Sequence, residues 1–247
     1  MNVGIIGAGT MGIGIAQVAA TNGCKVWIYD ANAKQVETAT VGLEKTLTKL
    51  VDKQKISSEK MTEILANISI ATELKDFKDC ELIIEAIIEN KEIKTKVFTE
   101  LEKYVSESCV IGSNTSSISI TSLGAELQKP ERFIGIHFFN PAPLMPLVEV
   151  IPSLLTEKSL AEKIYSLMKD WGKTPVIAKD IPGFIVNRIA RPFYGEGLRI
   201  VEENIATVEQ VDDAMKTLGN FKMGPFELMD LIGVDVNFSV TKTVYNE

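Results

Sequence analysis

The sequence predicts an α/β protein: a doubly wound, mostly parallel sheet followed by an all-α C-terminal domain. Three observations carry that prediction. An apolar strand, Val3-Gly4-Ile5-Ile6, runs directly into Gly7-Ala8-Gly9-Thr10-Met11-Gly12 and then a helical stretch. Short apolar runs next alternate with helical patterns, as expected for parallel strands joined by crossovers. At Asp180-Ile181-Pro182-Gly183 the character changes, and everything beyond reads as helix. Residues 1–181 are therefore expected to form the sheet domain and 182–247 a separate helical domain.

Taken in order, the helix after the glycine loop carries Ile13, Ala16, Gln17 and Ala20 and stops near Asn22-Gly23. A second strand, Lys25 to Tyr29, ends in Asp30. A long polar helix follows over about 32–53, in which Lys45, Lys49 and Lys53 share one face. Ile56-Ser57-Ser58-Glu59 gives a capping-like start to a short helix. Further strands are expected at 68–70, 82–87, 110–112 and 133–136, alternating with helices near 91–104 and 120–128. The strands at 147–151 and 175–177 are linked differently and are expected to include antiparallel pairing. Beyond the boundary, helices are expected at 184–203, at 207–218 and from 225 onward.

Composition limits the function. The chain has 247 residues, 45% hydrophobic and 24% charged, the balance of an ordinary globular protein with one large core or two unequal ones. A net charge of −7 argues against nucleic acid as the main partner, though not against a local basic patch for a small anion. Cys24, Cys80 and Cys109 show no metal-type spacing, so buried free thiols and no metal site are expected. The amino terminus enters a strand at once, with no signal-peptide pattern. No apolar run approaches the roughly 20 residues needed to span a bilayer. The expectation is a soluble, cytoplasmic protein.

The glycine loop points to a dinucleotide. In the Gly-x-Gly-x-x-Gly pattern Gly7 permits the tight turn, Gly9 lets backbone approach a pyrophosphate, and Gly12 allows close packing of helix on strand. The pyrophosphate would lie at the helix N-terminus, beside Thr10 and Met11. Asp30, about 20 residues beyond the motif, can accept hydrogen bonds from the adenosine ribose and repel a 2′-phosphate. Ala31 and Asn32 supply no arginine for such a phosphate, so NAD is preferred over NADP. The alternative is a glycine-rich turn with an ordinary strand-end aspartate.

The chain contains one histidine, His137, the only side chain here with an unperturbed pKa near neutrality. Twelve residues later Glu149 interrupts the apolar run Leu147-Val148-Glu149-Val150-Ile151. A charge in such a strand should be solvated, paired or functional, because burying it alone is costly. If the chain reverses at Pro141-Ala142-Pro143-Leu144-Met145-Pro146, the two side chains face each other as a base and its orienter. The alternatives are a satisfied core histidine and a solvent-facing strand edge.

Five ordered segments match a known family: the glycine loop, Ser113-Asn114-Thr115-Ser116-Ser117, His137-Phe138-Phe139-Asn140-Pro141, Pro182-Gly183-Phe184-Ile185-Val186-Asn187-Arg188 and Met223-Gly224-Pro225-Phe226-Glu227-Leu228. The chain resembles the short-chain L-3-hydroxyacyl-CoA dehydrogenases, especially the bacterial 3-hydroxybutyryl-CoA type. Its segments 191–203 and 231–238 look more like the phenylacetate-pathway branch, which acts on 3-hydroxyadipyl-CoA. The resemblance covers the whole chain and implies a Rossmann-like NAD-binding domain over 1–181 and a helical substrate and dimerisation domain over 182–247. Family members run further, to a Lys-Ser-Gly-x-Gly-Phe-Tyr segment absent here, so the helical domain is expected to be incomplete.

The resemblance also implies roles. His137 would take the proton of a secondary alcohol, with Glu149 fixing its tautomer. Ser116 would hydrogen-bond the substrate oxygen, where its alternative is a helix N-cap. Asn187 would polarise the substrate carbonyl, where its alternative is an exposed helix asparagine. Glu89 and Lys94 would meet the nicotinamide-side ribose, or else form a solvated helix face. Asn114 and Asn140 would lie along the cofactor. Lys49 and Lys53 could contact the phosphates of coenzyme A, or serve only solubility. A homodimer through the helical domain follows by the same resemblance, with no nucleic acid or membrane partner.

Two other functions share parts of this pattern. A free β-hydroxyacid dehydrogenase shares the glycine loop but relies on a lysine base in its helical linker, where this chain offers Asn187 and no lysine nearby. A non-catalytic relative, in the manner of lens crystallins, is the second; all the proposed catalytic side chains are nonetheless present. Acyl preference is not readable from the sequence; Arg191 is a candidate cation for a dicarboxylic chain but does not decide it.

Overall fold

The computed structural model describes residues 1–246. It divides into two compact units, Met1–Asp180 and Ile181 onward. Asp180 belongs to the first because its carboxylate accepts hydrogen bonds from Ser119 Oγ, Ile120 N and Thr121 N.

The described residues of the first unit build one sheet from β1 (Asn2–Ile6), β2 (Lys25–Tyr29), β3 (Ile68–Ile70), β4 (Leu82–Glu85), β5 (Val110–Ser113), β6 (Phe133–Phe138), β7 (Leu147–Pro152) and β8 (Thr174–Ile177). Their spatial order is β3-β2-β1-β4-β5-β6-β7-β8. Pairing is parallel from β3 through β6, antiparallel between β6 and β7, and parallel again between β7 and β8. The order reverses between β1 and β4, and the glycine loop leaves β1 at that switch point, where open α/β sheets bind ligands. The central strands are buried along their length, so they read as continuous apolar runs and not as alternating patterns.

The crossovers are α1 (Thr10–Thr21), α2 (Ala33–Asp52), α3 (Ser58–Ala66), α4 (Lys91–Leu101), α5 (Ile120–Gly124) and α6 (Lys158–Asp170). Helix α3 starts where the capping signal puts it, with the Ser57 side chain accepting from Lys60 N. Helix α5 is shorter than expected and gives way to turns before Pro130. Helix α6 is an addition to the expected elements, although Leu160, Ala161, Ile164 and Met168 recur at helical spacing and are buried. The predicted reversal between β6 and β7 is present, and the Asn140–Pro141 peptide within it is cis. Lys173 Nζ braces that loop by donating to Ala142 O at 2.6 Å and Met145 O at 2.9 Å.

The second unit contains α7 (Val186–Glu202), α8 (Val208–Thr217), α9 (Pro225–Ile232) and α10 (Val234–Asn246). Gly183 and Phe184 take positive φ values, 73° and 48°, so α7 starts two residues later than the sequence predicts. The expected helix from 225 is broken at Gly233, where φ is 92°. Thr207 and Gln210 cap α8 reciprocally. Asp212 accepts from Phe226 N and Glu227 N, which puts a carboxylate on the N-terminus of α9. Arg191 is spent inside this unit. It donates to Asn187 O, Asn237 O and Thr241 Oγ1 and stacks over Tyr194.

Candidate active site

The glycine loop has the shape its sequence implies. Gly7 sits at φ 104°, and a Cβ there would lie 2.5 Å from Ala86 O. A Cβ on Gly12 would lie 1.8 Å from Gly7 O, so helix and turn touch backbone to backbone. Gly9 is different: nothing lies within 4 Å of where its Cβ would be. It is also the N-cap of α1, with no side-chain cap and no acid in the first turn. Helix geometry leaves the N–H groups around Thr10, Met11 and Gly12 without intrahelical acceptors, and the dipole adds positive potential. Open space above uncapped N–H groups fits a pyrophosphate.

Asp30 ends β2 beside this loop. Its Oδ2 accepts from Ala8 N at 2.8 Å and its Oδ1 from Asn32 N at 2.9 Å, which fixes the carboxylate. A cavity of about 400 Å³ opens there, with Asp30 on one side and Ile87, Ile88, Ile93 and Val97 on the other. A carboxylate facing aliphatic walls fits a ribose carrying a flat aromatic base. The residues present therefore fit NAD.

His137 and Glu149 occupy directly opposed positions of β6 and β7. His137 Nδ1 lies 2.7 Å from Glu149 Oε2. Glu149 is 0% exposed and His137 6%. A carboxylate can only accept, so Nδ1 carries the hydrogen and the tautomer is set. The His137 ring also packs on Phe139, with centroids 4.5 Å apart. A buried imidazole held in one tautomer by a buried carboxylate is equipped to exchange a proton at its other nitrogen.

Residues 2–181 match the family model described as the 3-hydroxyacyl-CoA dehydrogenase NAD binding domain, and residues 183–247 match the C-terminal domain of the same enzymes. The chain belongs to the 3-hydroxyacyl-CoA dehydrogenase family. It is 44% identical, over 99% of its own length, to the 3-hydroxyadipyl-CoA dehydrogenase of Escherichia coli, of which it covers 51%. It is 41% identical to the 3-hydroxybutyryl-CoA dehydrogenase of Clostridioides difficile, covering 100% of this chain and 88% of that one. The crystal structure of 3-hydroxybutyryl-CoA dehydrogenase from Escherichia coli superposes with a TM-score of 0.97 at 43% identity, over 100% of this chain and 52% of that one. The chain thus spans about half the length of the Escherichia coli relatives it matches.

Within this dehydrogenase fold, Glu89 and Lys94 prove to be more than a solvated helix face. Lys94 is buried and lies 2.5 Å from Glu85 Oε1 and 3.4 Å from Glu89 Oε2. Glu89 Oε1 accepts from Thr115 Oγ1 at 2.6 Å, Ser116 N at 3.0 Å and Ser117 Oγ at 3.2 Å. Partial burial pushes the Glu89 carboxyl up, but the Lys94 charge and these hydrogen bonds outweigh it and hold the group low. Ser116 is therefore fixed through its N–H in the loop after β5. Asn114 ties the same loop to the histidine strand, its Oδ1 accepting from Phe138 N at 2.8 Å.

The remaining predicted residues are placed more loosely. Asn140 is exposed at the start of the reversal after β6. Lys49 and Lys53 are exposed at the end of α2 and make no ion pair among the described residues. One turn earlier, Thr46 and Leu50 line a groove of about 560 Å³ that also takes in Thr10, Gln17, Pro143 and Leu144. Asn187 is the second residue of α7, in the helical unit.

Glu85 is the participant that sequence reasoning missed. It is 0% exposed at the end of β4, inside the apolar run Leu82-Ile83-Ile84-Glu85-Ala86-Ile87. A lone charge in a buried strand was the signal that singled out Glu149, and it was equally present here.

Proposed function

We propose that this chain catalyses NAD-dependent oxidation of an L-3-hydroxyacyl-CoA to the 3-oxoacyl-CoA, on 3-hydroxybutyryl-CoA, 3-hydroxyadipyl-CoA or both. The observation that carries the reading is the buried His137–Glu149 pair, 2.7 Å apart, in the same unit as an open dinucleotide loop. In this reading His137 accepts the hydroxyl proton at Nε2. Glu149 holds the ring in place and stabilises the imidazolium that forms. Bound NAD supplies the acceptor for the hydride that leaves the β-carbon.

The other side chains bind and orient. Ser116 donates a hydrogen bond to the reacting oxygen, and Asn187 polarises the substrate carbonyl. Gly7, Gly9, Thr10, Met11 and Gly12 take the pyrophosphate, and Asp30 takes the adenosine ribose. Glu89 and Lys94 take the nicotinamide-side ribose, with Asn114 and Asn140 alongside. The groove between α1 and α2 accepts the acyl-CoA arm, and Lys49 and Lys53 meet its phosphates. A cytoplasmic homodimer assembled through the helical unit completes the proposal; among the described residues no helix is long and apolar enough to cross a membrane.

The test is NADH oxidation with acetoacetyl-CoA. Turnover dependent on both substrates is expected; tight NADH binding without any turnover would instead favour a binding-only relative. Comparing acetoacetyl-CoA with 3-oxoadipyl-CoA then assigns the chain length.

A further inference from the structure

We infer that Glu85 is a positioning residue for the cofactor end of this site, acting through Lys94 on Glu89 and the loop Thr115–Ser117. The inference rests on the NAD-site reading of Glu89 and Lys94 given above and extends it to a residue that touches neither cofactor nor substrate.

Glu85 sits where three segments converge. Its Oε1 accepts from Lys94 Nζ on α4 and from Ile87 N at 2.7 Å. Its Oε2 accepts from Ser113 Oγ at 2.7 Å, at the end of β5. Its backbone oxygen accepts from Asn114 N at 2.7 Å. The Ser113 hydroxyl in turn accepts from Thr115 N, so the contacts pass straight into the hydroxyl-bearing loop. Both Glu85 and Lys94 are essentially excluded from solvent, at 0% and 1% exposure.

Charge balance explains the arrangement. One ammonium faces two carboxylates, and the buried one holds it at 2.5 Å against 3.4 Å for Glu89. Because Lys94 is anchored inward, Glu89 keeps Oε1 for the loop hydroxyls while its side chain remains 38% exposed. Taking two charges out of water is expensive, and replacing such a buried pair by apolar residues of similar volume is often neutral or stabilising, so stability alone does not require it. Without the Glu85 charge, Lys94 has a single carboxylate left and draws Glu89 off the loop.

The experiment is a double-mutant cycle on NADH affinity, read by nucleotide fluorescence, with Glu85→Gln, Lys94→Met and the double variant. Glu85→Gln is expected to raise the NADH Kd about tenfold. In the Lys94→Met background the same substitution is expected to add almost nothing. A Glu85→Gln Kd within about twofold of wild type, or an equal loss in both backgrounds, overturns the inference. If Glu85→Gln does not fold, Glu85→Asp is measured in the same cycle against the same criteria. A wild-type chain that binds NADH but does not turn over acetoacetyl-CoA refutes the proposed function alone, because the cycle still decides Glu85.

Discussion

His137 and Glu149 stand opposite one another in an antiparallel strand pair, with Nδ1 and Oε2 2.7 Å apart and the carboxylate fully buried. Rigid strands on both sides fix this distance, so Glu149 determines which imidazole nitrogen is left to exchange a proton. Glu149→Gln keeps the shape but lets the amide nitrogen donate to Nδ1, which favours the wrong tautomer. The expected result is a kcat lower by about 10²- to 10⁴-fold with NADH affinity retained. Steady-state kinetics beside NADH titration checks it.

The glycine loop gives a paired prediction. Gly12→Ala drives a methyl to within 1.8 Å of Gly7 O and is expected to cost stability, about 1–3 kcal/mol. Gly9→Ala meets nothing within 4 Å. It should unfold within about 0.5 kcal/mol of wild type yet bind NADH about tenfold more weakly, because the methyl occupies the pyrophosphate's space. Denaturant melts and NADH titration of both variants separate the two effects.

Arg191 is not expected to choose the acyl chain. Its donors are engaged by Asn187 O, Asn237 O and Thr241 Oγ1. Arg191→Ala should lower Tm while changing the ratio of kcat/KM for 3-oxoadipyl-CoA over acetoacetyl-CoA by less than about threefold. A larger change in that ratio would return it to the pocket.

The buried thiols predict an alkaline weakness. Burial pushes both Cys80 and Cys109 up to about 12 from an ordinary value of 9.0. The folded state then holds protons that the unfolded chain releases, so these thiols leave stability unaffected below pH 9 and lower it as pH rises from 9 towards 12. The slope is at most about 1.4 kcal/mol per pH unit for each thiol. Tm followed over that range should fall less steeply in Cys80→Ala than in wild type. Parallel curves would contradict the assignment.

The sheet was legible because buried parallel strands are short apolar runs separated by strong punctuation, and the glycine loop marks its own switch point. His137 and Glu149 were legible for a narrower reason: a lone charge in a β-branched run, and prolines that force a reversal between them. Glu85 carried the same mark but is spaced nine residues from its partner Lys94 across a strand-to-helix turn, so only the fold brings them together. Helix α6 escaped because its polar residues outnumber its buried stripe. The break at Gly233 depends on a positive φ that glycine permits but does not announce. The family models supply the frame around all of these, from residue 2 to residue 247.

His137→Gln, assayed with acetoacetyl-CoA and NADH, is the decisive variant. Its kcat is expected to fall about 10³-fold or more with the NADH Kd within about twofold of wild type. Turnover near the wild-type rate would show that this histidine is not the base.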